Sequence, residues 1–178
     1  MFIQTLNFIW IDKEAIPLEY EKLLDHEEPT TLRLEALYDQ EMCVEVLEES
    51  SSDKIYEREI IMLGKKDYIP RELAYIKIFL ENLPKASIRR AIIDKKKPFG
   101  KVLSNAKVKT AREGMVFFKL DKEESITRHL VNPGNVYYGR KYSIFLVSEE
   151  KKLVENQKPL AEVIEIYSSP ETVSGQIK

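Results

Sequence analysis

A strand places alternate residues on one face of its sheet, and in this chain that rule sets charge among apolar side chains. Residues 55–63 alternate as a strand. Glu57 and Glu59 fall on one side, and Tyr56, Arg58, Ile60 and Met62 on the other. Gly64-Lys65-Lys66-Asp67 reads as the loop of a hairpin leading into a second strand over residues 68–75, where Ile69, Arg71, Leu73 and Tyr75 share a side. Over residues 160–167, Glu162 stands with Leu160, Ile164 and Ile166, and Glu165 on the other side is the competing acid. An isolated buried charge costs several kcal/mol even after relaxation, so ions in such rows must be paired. Two arginines and one glutamate can pair structurally and leave one guanidinium over, with stems that snorkel to water. They can equally line a cavity for a dianionic ligand with a hydroxyl at one end.

The rest of the chain supplies the frame. Residues 17–24 suit a short helix, with Pro17 near its first turn and Leu18, Lys22 and Leu23 on one face. A second helix is predicted to start at Thr30 or Thr31, where a threonine can cap, and to turn Leu32, Leu34, Leu37 and Tyr38 inward. Residues 42–47 alternate as a strand, and Ser50-Ser51-Ser52-Asp53 reads as a turn. Residues 84–94 suit a helix, and Phe99 and Gly100 follow Pro98 at a further helix start, where free N–H groups and the dipole favour a carboxylate. Residues 107–120 and 141–147 read as strands. Hairpin-linked strands with helices bunched between them predict an α+β fold, a mainly antiparallel β-sheet of about six strands with helices packed over it. A chain of 178 residues fits a single domain, 1–178.

Composition removes several function classes. The 28 basic and 30 acidic side chains nearly cancel, leaving a formal charge of -2, whereas a nucleic-acid surface must be basic. With His26, His129 and Cys43 as the available His and Cys ligands, a zinc site of the usual type cannot be assembled, and no cofactor is expected. Cys43 reads as a small core residue and His129 as a surface one. Lys95-Lys96-Lys97 reads as a solvated run at a helix end, and Trp10 with Phe8 as packing at a core edge. The N-terminus lacks the basic region and apolar run of a signal peptide, and no apolar stretch approaches the ~20 residues of a membrane helix. A cytoplasmic protein with no nucleic-acid or membrane partner is expected.

Several patches, in order, resemble chorismate lyase. They are Pro29-Thr30-Thr31-Leu32-Arg33-Leu34, Tyr56-Glu57-Arg58-Glu59-Ile60-Ile61, Arg71 after the hairpin, and Lys97-Pro98-Phe99-Gly100-Lys101-Val102-Leu103. Tyr138-Gly139-Arg140-Lys141 and Lys158-Pro159-Leu160-Ala161-Glu162, followed by Ser168-Ser169-Pro170, complete the set. Pro70 stands where that family has glycine, and Phe99 where it has leucine. The resemblance implies a metal-free lyase that converts chorismate to 4-hydroxybenzoate and pyruvate in an enclosed pocket, with chorismate or a close relative as its small-molecule substrate. It implies that Arg58 holds the benzoate carboxylate, helped by the backbone N–H groups of Thr30 and Phe99. Arg71 would hold the enolpyruvyl side and Glu162 would act as acid or base at the ring hydroxyl. The same fold resembles the ligand-sensing domain of a family of transcriptional regulators, so the alternative is a non-catalytic sensor of an aromatic carboxylate. Residues 1–41, before the first predicted strand, are too few for the winged helix those regulators carry.

Overall fold

The alternating segments pair into one antiparallel sheet. The computed structural model describes residues 1–95, 97–122, 126, 128–131, 135–147 and 158–170. Its strands are β1 (Ile9–Ile11), β2 (Met42–Ser51), β3 (Ile55–Gly64), β4 (Pro70–Phe79), β5 (Thr110–Asp121), β6 (Val136–Leu146) and β7 (Ala161–Tyr167), in spatial order β1-β5-β6-β7-β4-β3-β2. Four helices accompany them: α1 (Leu18–Leu24), α2 (Thr30–Tyr38), α3 (Ala86–Ile93) and α4 (Phe99–Asn105). The α+β class and the mainly antiparallel sheet are as expected, with seven strands in place of six. The additional one, β1, pairs with β5 over three residues, too few for alternation to mark it. Its Trp10 is exposed and meets Phe118 edge-on.

Both faces of the sheet are covered. On the helix face, Tyr56, Ile60, Ala74, Ile76, Ile78, Tyr142, Ile144 and Val163 pack against Ile88 and Ile92 of α3 and Phe99, Val102 and Leu103 of α4. Nearby, α1 and α2 close over Met62, Phe117 and Tyr167. On the opposite face, Ile61, Leu73, Tyr75, Phe118, Ile164 and Ile166 lie beneath Ile3, Ile126 and Leu130. The side chains of β3, β4 and β7 are therefore largely buried on both sides, and a charge there has nowhere to snorkel.

Several local expectations change. Leu18, Leu32 and Leu37 are exposed, because these short helices bury a narrow stripe: Tyr20, Leu23 and Leu24 in α1, and Thr30, Thr31 and Leu34 in α2. The residue before α2 is Pro29, and neither threonine caps it. Ser50 and Ser51 are paired strand residues, and the turn begins at Ser52, whose N–H bonds the Ile55 carbonyl at 2.8 Å. Strand β6 begins at Val136, five residues before the expected 141. Lys96 of the lysine run and Asn132-Pro133-Gly134 lie outside the described residues.

Glycine is needed once close to the polar centre of the fold. A Cβ on Gly139 would stand 2.2 Å from the Glu165 carbonyl oxygen and 2.4 Å from the Phe118 ring. Its absence lets β6 and β7 run in the register that sets Arg140 directly opposite Glu165.

Candidate functional site

The cross-strand row Arg140, Glu165, Ala74, Ile60 runs along the helix face. At its centre the Glu165 carboxylate is buried and receives four donors. Oε1 accepts from the Thr30 hydroxyl at 2.6 Å and the Tyr142 hydroxyl at 2.8 Å. Oε2 accepts from Arg140 Nε at 2.6 Å and the Tyr167 hydroxyl at 2.8 Å. Burial pushes this carboxyl up, but the Arg140 charge and the hydrogen bonds from Thr30, Arg140 and Tyr167 outweigh it and hold it at about 2. Arg140 in turn donates to the carbonyls of Leu24 and His26 at 2.8 and 3.1 Å and to Thr30 Oγ1 at 3.0 Å. It thereby ties β6 to the segment between α1 and α2. Burial, then the nearby Arg140 charge, lowers the His26 ring to about 4, so it is neutral here.

Glu72 lies beside this group. Burial, then the Glu165 charge, raise its carboxyl well above the usual range, and its Oε2 has no hydrogen-bond partner among the described residues. The neighbouring Glu165 charge thus favours the neutral form of Glu72.

Arg58 is different. It is 0% exposed, and its Nε and Nη1 have no hydrogen-bond partner. Nη2 reaches the Lys97 carbonyl at 3.5 Å, and the Tyr56 ring lies 6.0 Å from the guanidinium carbon. Its cross-strand neighbour Glu49 is bound to Lys95 and to the Tyr56 hydroxyl. Among the described residues no carboxylate lies within ion-pair distance of Arg58.

Between these groups runs a narrow slot of about 40 Å³, roofed by Thr30, Thr31, Pro98, Phe99 and Gly100 and floored by Ile60, Ile76, Ile144 and Val163. Glu72, Glu165, Tyr142 and Arg112 supply its polar wall. Arg58 stands at its rim, next to Ile60 on the same face of β3 and across from Ile76 on β4. A water molecule occupies ≈ 30 Å³ of liquid, so the slot has room for about one.

The residues expected to form the site are only partly brought together. Thr30 and Phe99 line the slot, although Thr30 acts through its hydroxyl on Glu165, and Arg58 lies just beyond the lining, two positions before Ile60 on the same face of β3. Arg71 does not join them. A bulge pairs Leu63 with Pro70 and Met62 with Glu72, so Arg71 is the extra residue of β4. Its guanidinium lies 4.1 Å from the Tyr38 ring and donates to Asp67 at 2.5 Å, clamping the hairpin loop to the end of α2. Glu162 sits half-buried on the opposite face, in register with Lys77 and Ser143. The acid at the slot is its competitor, Glu165. Arg140, Glu72, Tyr142, Tyr167 and Arg112 were not anticipated. The row Tyr138, Arg140, Tyr142, Ile144 shows the same charge-in-apolar signal as Arg58, but the predicted strand began one residue past the arginine.

No protein-family model matches the sequence, and no curated protein matches it significantly. Solved structures do. The chain is similar to the possible transcriptional regulator YydK of Bacillus subtilis, at 11% identity and a TM-score of 0.53, over 94% of this chain and 74% of that one. It is similar to PhnF of Mycobacterium smegmatis, at 8% identity and a TM-score of 0.54, over 81% of this chain and 65% of that one. A gene product of Staphylococcus aureus, SA0254, matches at 13% identity and a TM-score of 0.51, over 71% of this chain and 82% of that one. At these identities the likeness is one of fold, which is chorismate lyase-like.

The expectation of a lyase is corrected on these findings. The shared fold is that of a possible transcriptional regulator over nearly the whole of this chain. The slot also lacks the expected machinery: Glu162 faces away, Arg71 is bound to Asp67, and Glu165 is saturated by four donors.

Proposed function

We propose that this chain is a non-catalytic sensing domain that receives a small anion, an aromatic carboxylate or a relative of one, in the slot beneath α2 and α4. Arg58 carries the reading. A fully buried guanidinium with no carboxylate within ion-pair distance among the described residues is a standing cost of several kcal/mol, whereas Arg71, whose Nε and Nη1 are equally unpartnered, is neutralised by Asp67. A carboxylate in the slot would remove that cost through the bidentate geometry that guanidinium favours. The likeness of fold to a possible transcriptional regulator supports sensing. So does the size of the slot, about 40 Å³, because a ligand larger than a water or two must part α2 and α4 from the sheet. Binding is then coupled to a displacement, as a signal requires.

The test is calorimetric titration of the chain with 4-hydroxybenzoate, beside incubation with chorismate. Binding that falls at least tenfold in Arg58→Gln, with chorismate left intact, is the expected result. Binding unchanged in Arg58→Gln, or no binding at millimolar ligand, would remove the basis for the reading. Stoichiometric conversion of chorismate to 4-hydroxybenzoate and pyruvate would overturn it.

A further inference from the structure

We infer that the ligand is a small dianion whose negative groups lie at opposite ends of an apolar body, one on Arg58 and the other on Arg112. This rests on the anion-sensing reading and deepens it. Arg112 stands on β5 opposite Ile144 and leans inward over the Tyr142 ring, 5.3 Å away. Its Nη1 donates to the Glu27 carbonyl at 2.5 Å, while its Nε is buried with no partner. Like Arg58, it has no carboxylate within ion-pair distance among the described residues, and the Glu27 carboxylate beside it is exposed.

The two arginines terminate the same surface. Four strand steps separate β3 from β5 in the order β3, β4, β7, β6, β5, which sets the two backbones ~19 Å apart at ~4.8 Å per step. Between them the floor is Ile76, Val163 and Ile144. Glu165 on that floor already takes four donors. Arg140 is paired with Glu165, whereas neither Arg58 nor Arg112 has a carboxylate within ion-pair distance among the described residues. A ligand with one carboxylate would partner only one of the two.

Access favours the same assignment. A second cleft of about 220 Å³, lined by Pro29, Leu103, Ser104 and Thr110, shares Gly100, Arg112 and Ile144 with the slot. Arg112 therefore stands where the wider cleft meets the narrow slot. It would draw the ligand in and keep its second acid group while the first goes on to Arg58.

The test compares benzoate, terephthalate and phenyl phosphate by titration calorimetry on the full chain at low salt. Terephthalate should bind at least tenfold more tightly than benzoate. Arg112→Gln should abolish that ratio by weakening terephthalate much more than benzoate, and Arg112→Lys should restore part of it. Phenyl phosphate, with both charges in one group, should behave like benzoate. Equal affinity for benzoate and terephthalate, with both still dependent on Arg58, would overturn this inference and leave the anion-sensing reading standing. Phenyl phosphate that binds more tightly than terephthalate and is indifferent to Arg112 would do the same. No binding of any probe would overturn both.

Discussion

The hairpin of β3 and β4 buries an arginine in each strand, and the two are held in opposite ways. Arg71 is 1% exposed, bonded to Asp67 and stacked on Tyr38, so its charge is neutralised where the hairpin loop joins α2, although its Nε and Nη1, like those of Arg58, have no hydrogen-bond partner. Arg58 is equally buried and has neither a carboxylate nor a close carbonyl. Burial alone does not separate an arginine that holds a fold together from one that awaits a ligand. The partner does. Arg140, bonded to Glu165, Thr30 and two carbonyls, belongs with Arg71 as a cation consumed by structure.

The contrast can be sharpened by removing partners. The largest loss is expected for Glu165→Ala, which strands Arg140 and two tyrosine hydroxyls. Breaking a buried pair from one side costs about 3–5 kcal/mol, measurable as a lowered midpoint in urea unfolding at an unchanged slope.

Acid should produce a related loss without mutation. The Glu165 carboxyl is held at about 2 in the folded chain, below its ordinary value, so its stabilisation is complete above the unfolded pKa and is lost as pH falls toward 2. Glu72, whose carboxyl is raised, acts in the opposite sense: it favours the folded chain below the unfolded pKa and opposes it as pH rises. From pH 7 to pH 2 the loss through Glu165 should reach roughly 3 kcal/mol, and it should be absent from Glu165→Gln, which keeps only the acid sensitivity of carboxyls such as Glu41, Glu49 and Asp67.

Arg71→Met should cost about 1 kcal/mol through loss of the hydrogen bond to Asp67 and of the stacking on Tyr38, and should leave the affinity for 4-hydroxybenzoate within twofold of wild type. A larger effect on binding than on stability would move Arg71 into the ligand class. Glu162→Gln, on the face away from the slot, is expected to stay within about 0.5 kcal/mol and to bind ligand as before.

How much of this was legible in the sequence follows from where alternation survives. It survives along the middle of β3, which is why Arg58 stood out and sits where expected. It fails at Arg71, because the bulge at Leu63 turns an extra residue off the alternating pattern. It fails again in β5, where the register breaks between Glu113 and Val116 around Gly114 at φ 65°, hiding the inward aim of Arg112. Alternation placed Glu162 and Glu165 on opposite faces but could not say which face the helices cover, since both rows are apolar. Tertiary packing on α2 and α4 decides that. The antiparallel α+β fold was readable because hairpins and short helices are local features. The slot was not, because it is defined by residues from seven separate elements.

The most direct test of the difference between the two arginines needs no ligand. Arg58→Met exchanges an unpartnered buried cation for an apolar side chain of similar length, and urea unfolding at pH 7 reports the result. The expected free energy of unfolding is equal to or higher than that of wild type, because replacing a buried ion by a hydrophobic group is often neutral or stabilising by 1–4 kcal/mol. A loss of about 3 kcal/mol or more, of the size that follows when a paired buried charge is broken, would show that Arg58 is already satisfied within the fold and is not held in wait for an anion.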